Sequence, residues 1–161
     1  MNLPSDITYY SQINQDQYFI ENIAPQDGIF LDIGAHDGIF NNNTYSLEKY
    51  LGWSGTCIEV NPNLFKKLVE NRNCNCIEGA AWNKSEKITI EIPKQNSKEI
   101  LGSELGRIRG LKKNKSYFSG WFDDVYLYEA NSFRVYDKIN NSQTIDYLSL
   151  DVEGAEVEVL E

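Results

Sequence analysis

Ile29-Phe30-Leu31-Asp32-Ile33-Gly34-Ala35-His36-Asp37-Gly38 is the stretch on which the reading of the whole chain turns. Ile29–Ile33 is an apolar run of the length of a buried strand, interrupted by one carboxylate. It ends at a glycine, and the pattern Asp32-x-Gly34-x-x-x-Gly38 follows. In an open parallel sheet a ligand lies beyond the carboxyl ends of the strands. A glycine at that point lets backbone come close to it, because no Cβ intervenes and positive φ is allowed. The spacing is not the Gly-x-Gly-x-x-Gly of dinucleotide folds, which disfavours a pyrophosphate cradle. Asp32 suits a ligand that carries an ammonium group. Taken alone, the pattern fits any strand–turn–helix junction equally well.

Working outward, the same alternation repeats. Asn43-Thr44 opens a predicted helix through Leu51, with apolar residues near helical spacing. Residues 52–55 are a turn and residues 56–60 a second strand. Asn63 caps a helix carrying Leu64, Phe65, Leu68 and Val69, with Pro62 just outside it. Residues 76–80 form a third strand. Upstream, Asp16 caps a short helix that ends before Pro25. Strand and helix in short alternating units predict a parallel sheet with right-handed crossovers. Glu59, near the end of the second strand, sits where a carboxylate can accept hydrogen bonds from both hydroxyls of a ribose. A charged strand end is the plainer alternative.

Residues 81–141 break the rhythm. Residues 87–92 alternate like a half-buried strand and 125–128 suggest another, so this section reads as an insertion bearing a hairpin or small flap. The parallel pattern returns with a strand at 145–151 and a helix from 155. The expected organisation is a single α/β domain: an N-terminal helical segment (1–27), a βαβαβ ligand-binding unit (28–80), the insertion (81–141), and a fourth core strand with the start of a helix (142–161). The sheet is mostly parallel, with helices on both faces. The 145–151 strand should lie beside Ile29–Ile33 and would be an apolar edge. It is expected to be covered by a second copy of the chain, by the 87–128 insertion, or by further strands of a longer protein.

At 161 residues the chain suits one core. No apolar run approaches the roughly 20 residues that span a bilayer, and Met1–Asp6 lacks a signal-peptide pattern. A soluble, cytoplasmic protein is expected. Cys57, Cys74 and Cys76 are too few for a disulfide framework, and with His36 as the sole histidine no zinc set is expected. The net charge of −9 disfavours nucleic acid and anionic membrane as partners. Residues 94–115 run against it, with seven basic residues to two acidic. They read as a solvated segment or as a dock for an acidic acceptor.

The ordered set of motifs resembles the FkbM family of methyltransferases. It comprises Ser11-Gln12-x-x-Gln15-Asp16, Phe30 to Gly38, Asn43-Thr44-Tyr45, Gly52-Trp53-Ser54-Gly55, Ile58-Glu59-Val60-Asn61-Pro62 and Ile145 to Glu156. The resemblance implies a class I, Rossmann-like fold that binds S-adenosyl-L-methionine, here with its C-terminal strands missing. It implies that Asp32, Gly34, Ala35 and Gly38 form the first cofactor loop, that Glu59 holds the ribose, and that Ala80 flanks adenine. Asp151 and Glu153 should face the transferring methyl and serve as base, as ligands for a divalent ion, or in fixing the loop. The implied acceptor is a hydroxyl on a saccharide or other small molecule. His36 departs from the family, which often has asparagine there. Two rival readings are a truncated, non-catalytic cofactor-binding module and an NAD-dependent oxidoreductase.

Overall fold

In the computed structural model, which describes residues 3–24, 26–93, 106–110, 124–139 and 142–161, the stretch that opens the reading is a central strand. In chain order the elements are α1 (Gln15–Asn22), β1 (Ile29–Ile33), α2 (Tyr45–Leu51), β2 (Ser54–Glu59), α3 (Pro62–Asn71), β3 (Asn75–Glu78), β4 (Ala80–Ala81) and β5 (Lys87–Pro93). They continue with β6 (Arg107–Ile108), β7 (Val125–Phe133), a 3-10 turn at Val135–Asp137, β8 (Tyr147–Leu150) and α4 (Glu156–Leu160). Two sheets result. The first has the order β3-β2-β1-β8 and is parallel throughout. Its chain order reverses across β1, because β8 joins on the side away from β2. Such a reversal leaves a crevice at the strands' carboxyl ends.

β1 is almost wholly buried, and Phe30, Leu47, Leu51, Trp53, Cys57 and Leu68 pack one core beside it. Leu31, Ile33 and Ile58 pack a second core with Ala81 and Phe133. Asp16 is not the cap of α1, contrary to the sequence expectation. Asn14 takes the cap position in a left-handed conformation. Asp16 is buried in the first turn and accepts from Tyr10 N, Ser11 Oγ and Ser46 Oγ, which ties the N-terminal segment to α2. α3 also starts earlier than expected. Asn61 caps it by accepting from Asn63 N, and Pro62 is inside the helix. Proline at the first helical position gives up a donor that has no partner there anyway.

The expected third strand divides. The chain turns at Gly79, so Asn75–Glu78 stays in the first sheet while Ala80–Ala81 enters the second. That second sheet has the order β4-β7-β5-β6, with β5 antiparallel to β7 and β6 and β4 parallel to β7. The insertion is therefore a sheet built onto residues 80–81. Among the described residues none of its strands pairs with β8, so it is not the cover expected for that edge. Its inner face buries Ile88, Ile90, Ile92 and Ala130 against Ala80. Tyr128 Oη donates to Val60 O at 3.0 Å and ties the sheet to the loop after β2.

Most of the basic segment lies outside the described residues, including Lys94, Lys98, Lys112, Lys113 and Lys115. Arg107 and Arg109 are described, and both pair with Glu91, at 2.8 and 3.5 Å. The three cysteines are thiols, with Cys57 Sγ 3.5 Å from Cys74 Sγ. Among the described residues no helix is long and apolar enough to cross a membrane.

Candidate active site

A cavity of about 480 Å³ opens at the carboxyl ends of β1, β2 and β8, with the second sheet as its further wall. The loop leaving β1 forms its floor. Gly34 N and Ala35 N both donate to Ile58 O, at 2.9 and 3.1 Å, which draws the loop toward β2. Gly34 has φ +85°, and a Cβ on it would run into the carbonyl oxygen of Asp151. Glycine is required there because the ends of β1 and β8 approach each other, whatever ligand lies above. His36 has φ +56°. Histidine is among the residues that tolerate this left-handed conformation.

Two buried carboxylates face the cavity. Asp32 is 2% exposed, and its Oδ2 accepts from Thr44 Oγ1 at 2.7 Å and from Asn42 Nδ2 at 2.9 Å. Glu59 is 6% exposed and accepts from His36 N at 2.8 Å and Asn61 N at 2.7 Å. It joins the loops after β1 and β2. Burial pushes its carboxyl up to about 7, against the pull of the backbone donors from Asn61, His36 and Val60.

Of the residues the sequence points to, Asp32, Gly34, Ala35, Glu59, Ala80, Asp151 and Glu153 all line this one cavity. Gly38 does not. A Cβ on it would meet Leu68 and Arg72 at 2.7 Å, so it faces α3. Asp151 is held at the end of β8 by Asp151 N donating to Ile33 O, and Glu153 takes a left-handed φ of +54°. Among the described residues no group of three His, Cys, Asp or Glu side chains is placed to hold a metal ion.

The cavity also contains groups to which the sequence motifs assigned no role. Gln12 and Gln15 reach it from the N-terminal segment, and Ile90, Ile92, Ile108 and Tyr128 from the second sheet. Asn43 Nδ2 donates to Ser149 Oγ at 3.1 Å, while its Oδ1 is buried with no hydrogen-bond partner. The His36 ring nitrogens are likewise buried without one, although Nδ1 lies 3.4 Å from Asp37 Oδ1. Buried polar atoms lacking partners are uncommon, and here both residues line the cavity.

Residues 32–161 match the family model for the methyltransferase FkbM domain. The chain belongs to the FkbM methyltransferase family. The match begins at Asp32, runs through both loops that Glu59 joins, and includes the second sheet and the end of β8. No curated protein and no solved structure matches the chain. Within this FkbM domain, Asp32, Glu59 and Asp151 converge on one cavity, although Asp32 and Asp151 lie more than a hundred residues apart in the chain.

Proposed function

We propose that this FkbM-family protein transfers a methyl group from S-adenosyl-L-methionine to a hydroxyl of a saccharide or other small molecule. The observation that carries the reading is the pairing of two buried carboxylates, Asp32 and Glu59, around a cavity that contains buried polar atoms without partners. The cofactor is cationic at sulfur and ammonium, and its ribose supplies two donors. Acidic groups suit it, whereas they would repel the pyrophosphate of a dinucleotide. Asp32 would meet the ammonium end, directly or through water. Glu59 would accept from the ribose, Gly34 and Ala35 would carry the cofactor over the loop, and Ala80 would flank the base.

When bound, S-adenosyl-L-methionine supplies an electrophilic methyl on a good leaving group. The protein's part is alignment, because displacement at carbon runs in line. A hydroxyl is a weak nucleophile until its proton leaves, and a base at the end of β8 would remove that proton. Asp151 and Glu153 are the candidates, with the proton passing from the acceptor oxygen to a carboxylate oxygen. We expect the acceptor to be a small molecule or glycan met in the cytoplasm.

Isothermal titration with S-adenosylhomocysteine, and separately with NAD, tests the reading. Binding of the first and none of the second is expected. Comparable binding of NAD would favour the oxidoreductase alternative and overturn the proposal.

A further inference from the structure

Arg72 is a buried cation that the proposed chemistry does not use. It is 5% exposed and follows directly on α3, at its C-cap, with its guanidinium stacked 5.2 Å from the Phe30 ring. Nε donates to Glu48 Oε2 at 2.7 Å. The other bonds all reach the structure beneath the cavity. Nη1 donates to Gly38 O at 3.2 Å and Asn42 Oδ1 at 3.1 Å, and Nη2 donates to Thr44 Oγ1 at 3.0 Å. Burying an ion is costly, and apolar side chains of similar volume often fill such a place as well or better. A cation kept there calls for a reason beyond packing.

The direction of the hydrogen bonds supplies one. Guanidinium only donates. Asn42 turns its carbonyl oxygen toward Arg72, where that oxygen also accepts from Thr44 N and Tyr45 N, so three donors hold it there. Its amide nitrogen is left facing Asp32 Oδ2 and Ala35 O, at 2.9 and 3.1 Å. Thr44 Oγ1 accepts from Arg72, and of the two acceptors within reach of its single hydrogen, Asp32 Oδ2 at 2.7 Å is nearer than Asn42 Oδ1 at 3.1 Å. Both paths run from one donor to one carboxylate oxygen. We infer that Arg72 is a positioning residue for the cofactor, which joins the Thr44 and Tyr45 amides in fixing Asn42, holds Thr44 Oγ1 as an acceptor, and through both residues orients Asp32 and the loop from Ala35 to Gly38. This rests on the proposal that Asp32 meets the cofactor.

A double-mutant cycle tests it by titration with S-adenosylhomocysteine. Arg72→Met should weaken binding about tenfold, within the range of coupling seen for residues in one hydrogen-bond network. In an Asp32→Asn background it should cost nothing further. Thr44→Val, which removes one path, should weaken binding in the same direction. Thr44→Ser should keep near-native affinity even though its lost methyl lowers the melting temperature. The Thr44 pair decides the matter if Arg72→Met does not fold. Additive losses across the cycle, or equal affinity of the serine and valine variants, would overturn the inference and leave the cofactor proposal standing. Failure of the wild type to bind would remove the cofactor proposal, and this inference with it.

Discussion

At the residue scale, Glu59 carries a pH dependence that falls near neutrality. Its carboxyl sits near 4.5 in an unfolded chain and about 7 in the fold, raised by burial. Its contribution to stability is therefore complete below about pH 4.5 and lost as pH rises through about 7, where a buried group must ionise. If Glu59 holds the ribose as proposed, ligand binding runs the opposite way, since ribose hydroxyls donate to the ionised form. Affinity for S-adenosylhomocysteine should rise between about pH 5.5 and about pH 7, by up to about tenfold per unit, and then level off. Glu59→Gln should abolish that slope. A slope of equal size in the folded variant would assign the titration elsewhere. Gly34→Ala makes a second case: positive φ and the Asp151 carbonyl both oppose a Cβ. A loss of at least about 1–3 kcal/mol in denaturant unfolding is expected. Asp32 and Glu59 were legible in the sequence because each is a carboxylate near the end of an apolar run. Arg72 was not, since its meaning depends on the end of α3 returning beneath the first loop.

At the level of elements, the parallel strands were readable because burial on both faces leaves continuous apolar runs, and β1 occupies the residues expected of it. The position of 145–151 beside β1 followed from the fold that the sequence motifs implied, and β8 pairs there. The break of the third strand at Gly79 was not. Nothing local distinguishes Ala80–Ala81 as the start of a second sheet, because its partner, β7, lies some fifty residues on. The same distance hid the second sheet's role as a cavity wall. Its attachment is open to test at Tyr128, whose hydroxyl donates to Val60 O. Tyr128→Phe should cost about 1 kcal/mol, the usual net worth of one such bond. It should also speed hydrogen exchange in β5 and β7 without changing that of β1. Unchanged exchange would mean that the apolar contacts of Ile88, Ile90 and Ile92 hold the sheet by themselves.

For the whole molecule, the cavity is the place where the two sheets meet. The first contributes Asp32, Glu59 and Asp151, and the second contributes Ile90, Ile92 and Ile108. A ligand that fills this space touches both and adds binding energy to the folded state alone. At a concentration about one hundred times its dissociation constant it should stabilise the protein by about 2.7 kcal/mol. How that gain is distributed is informative. A ligand confined to the glycine loop would slow exchange only along β1 and the residues up to Gly38. One that spans the cavity should also slow exchange at Ile90 and Ile92, which no loop contact can reach. Hydrogen exchange with and without S-adenosylhomocysteine should show protection rising in both sheets together. Protection limited to β1 and its loop would mean that the second sheet faces the acceptor instead, and that the apolar wall of Ile90, Ile92 and Ile108 selects what is methylated.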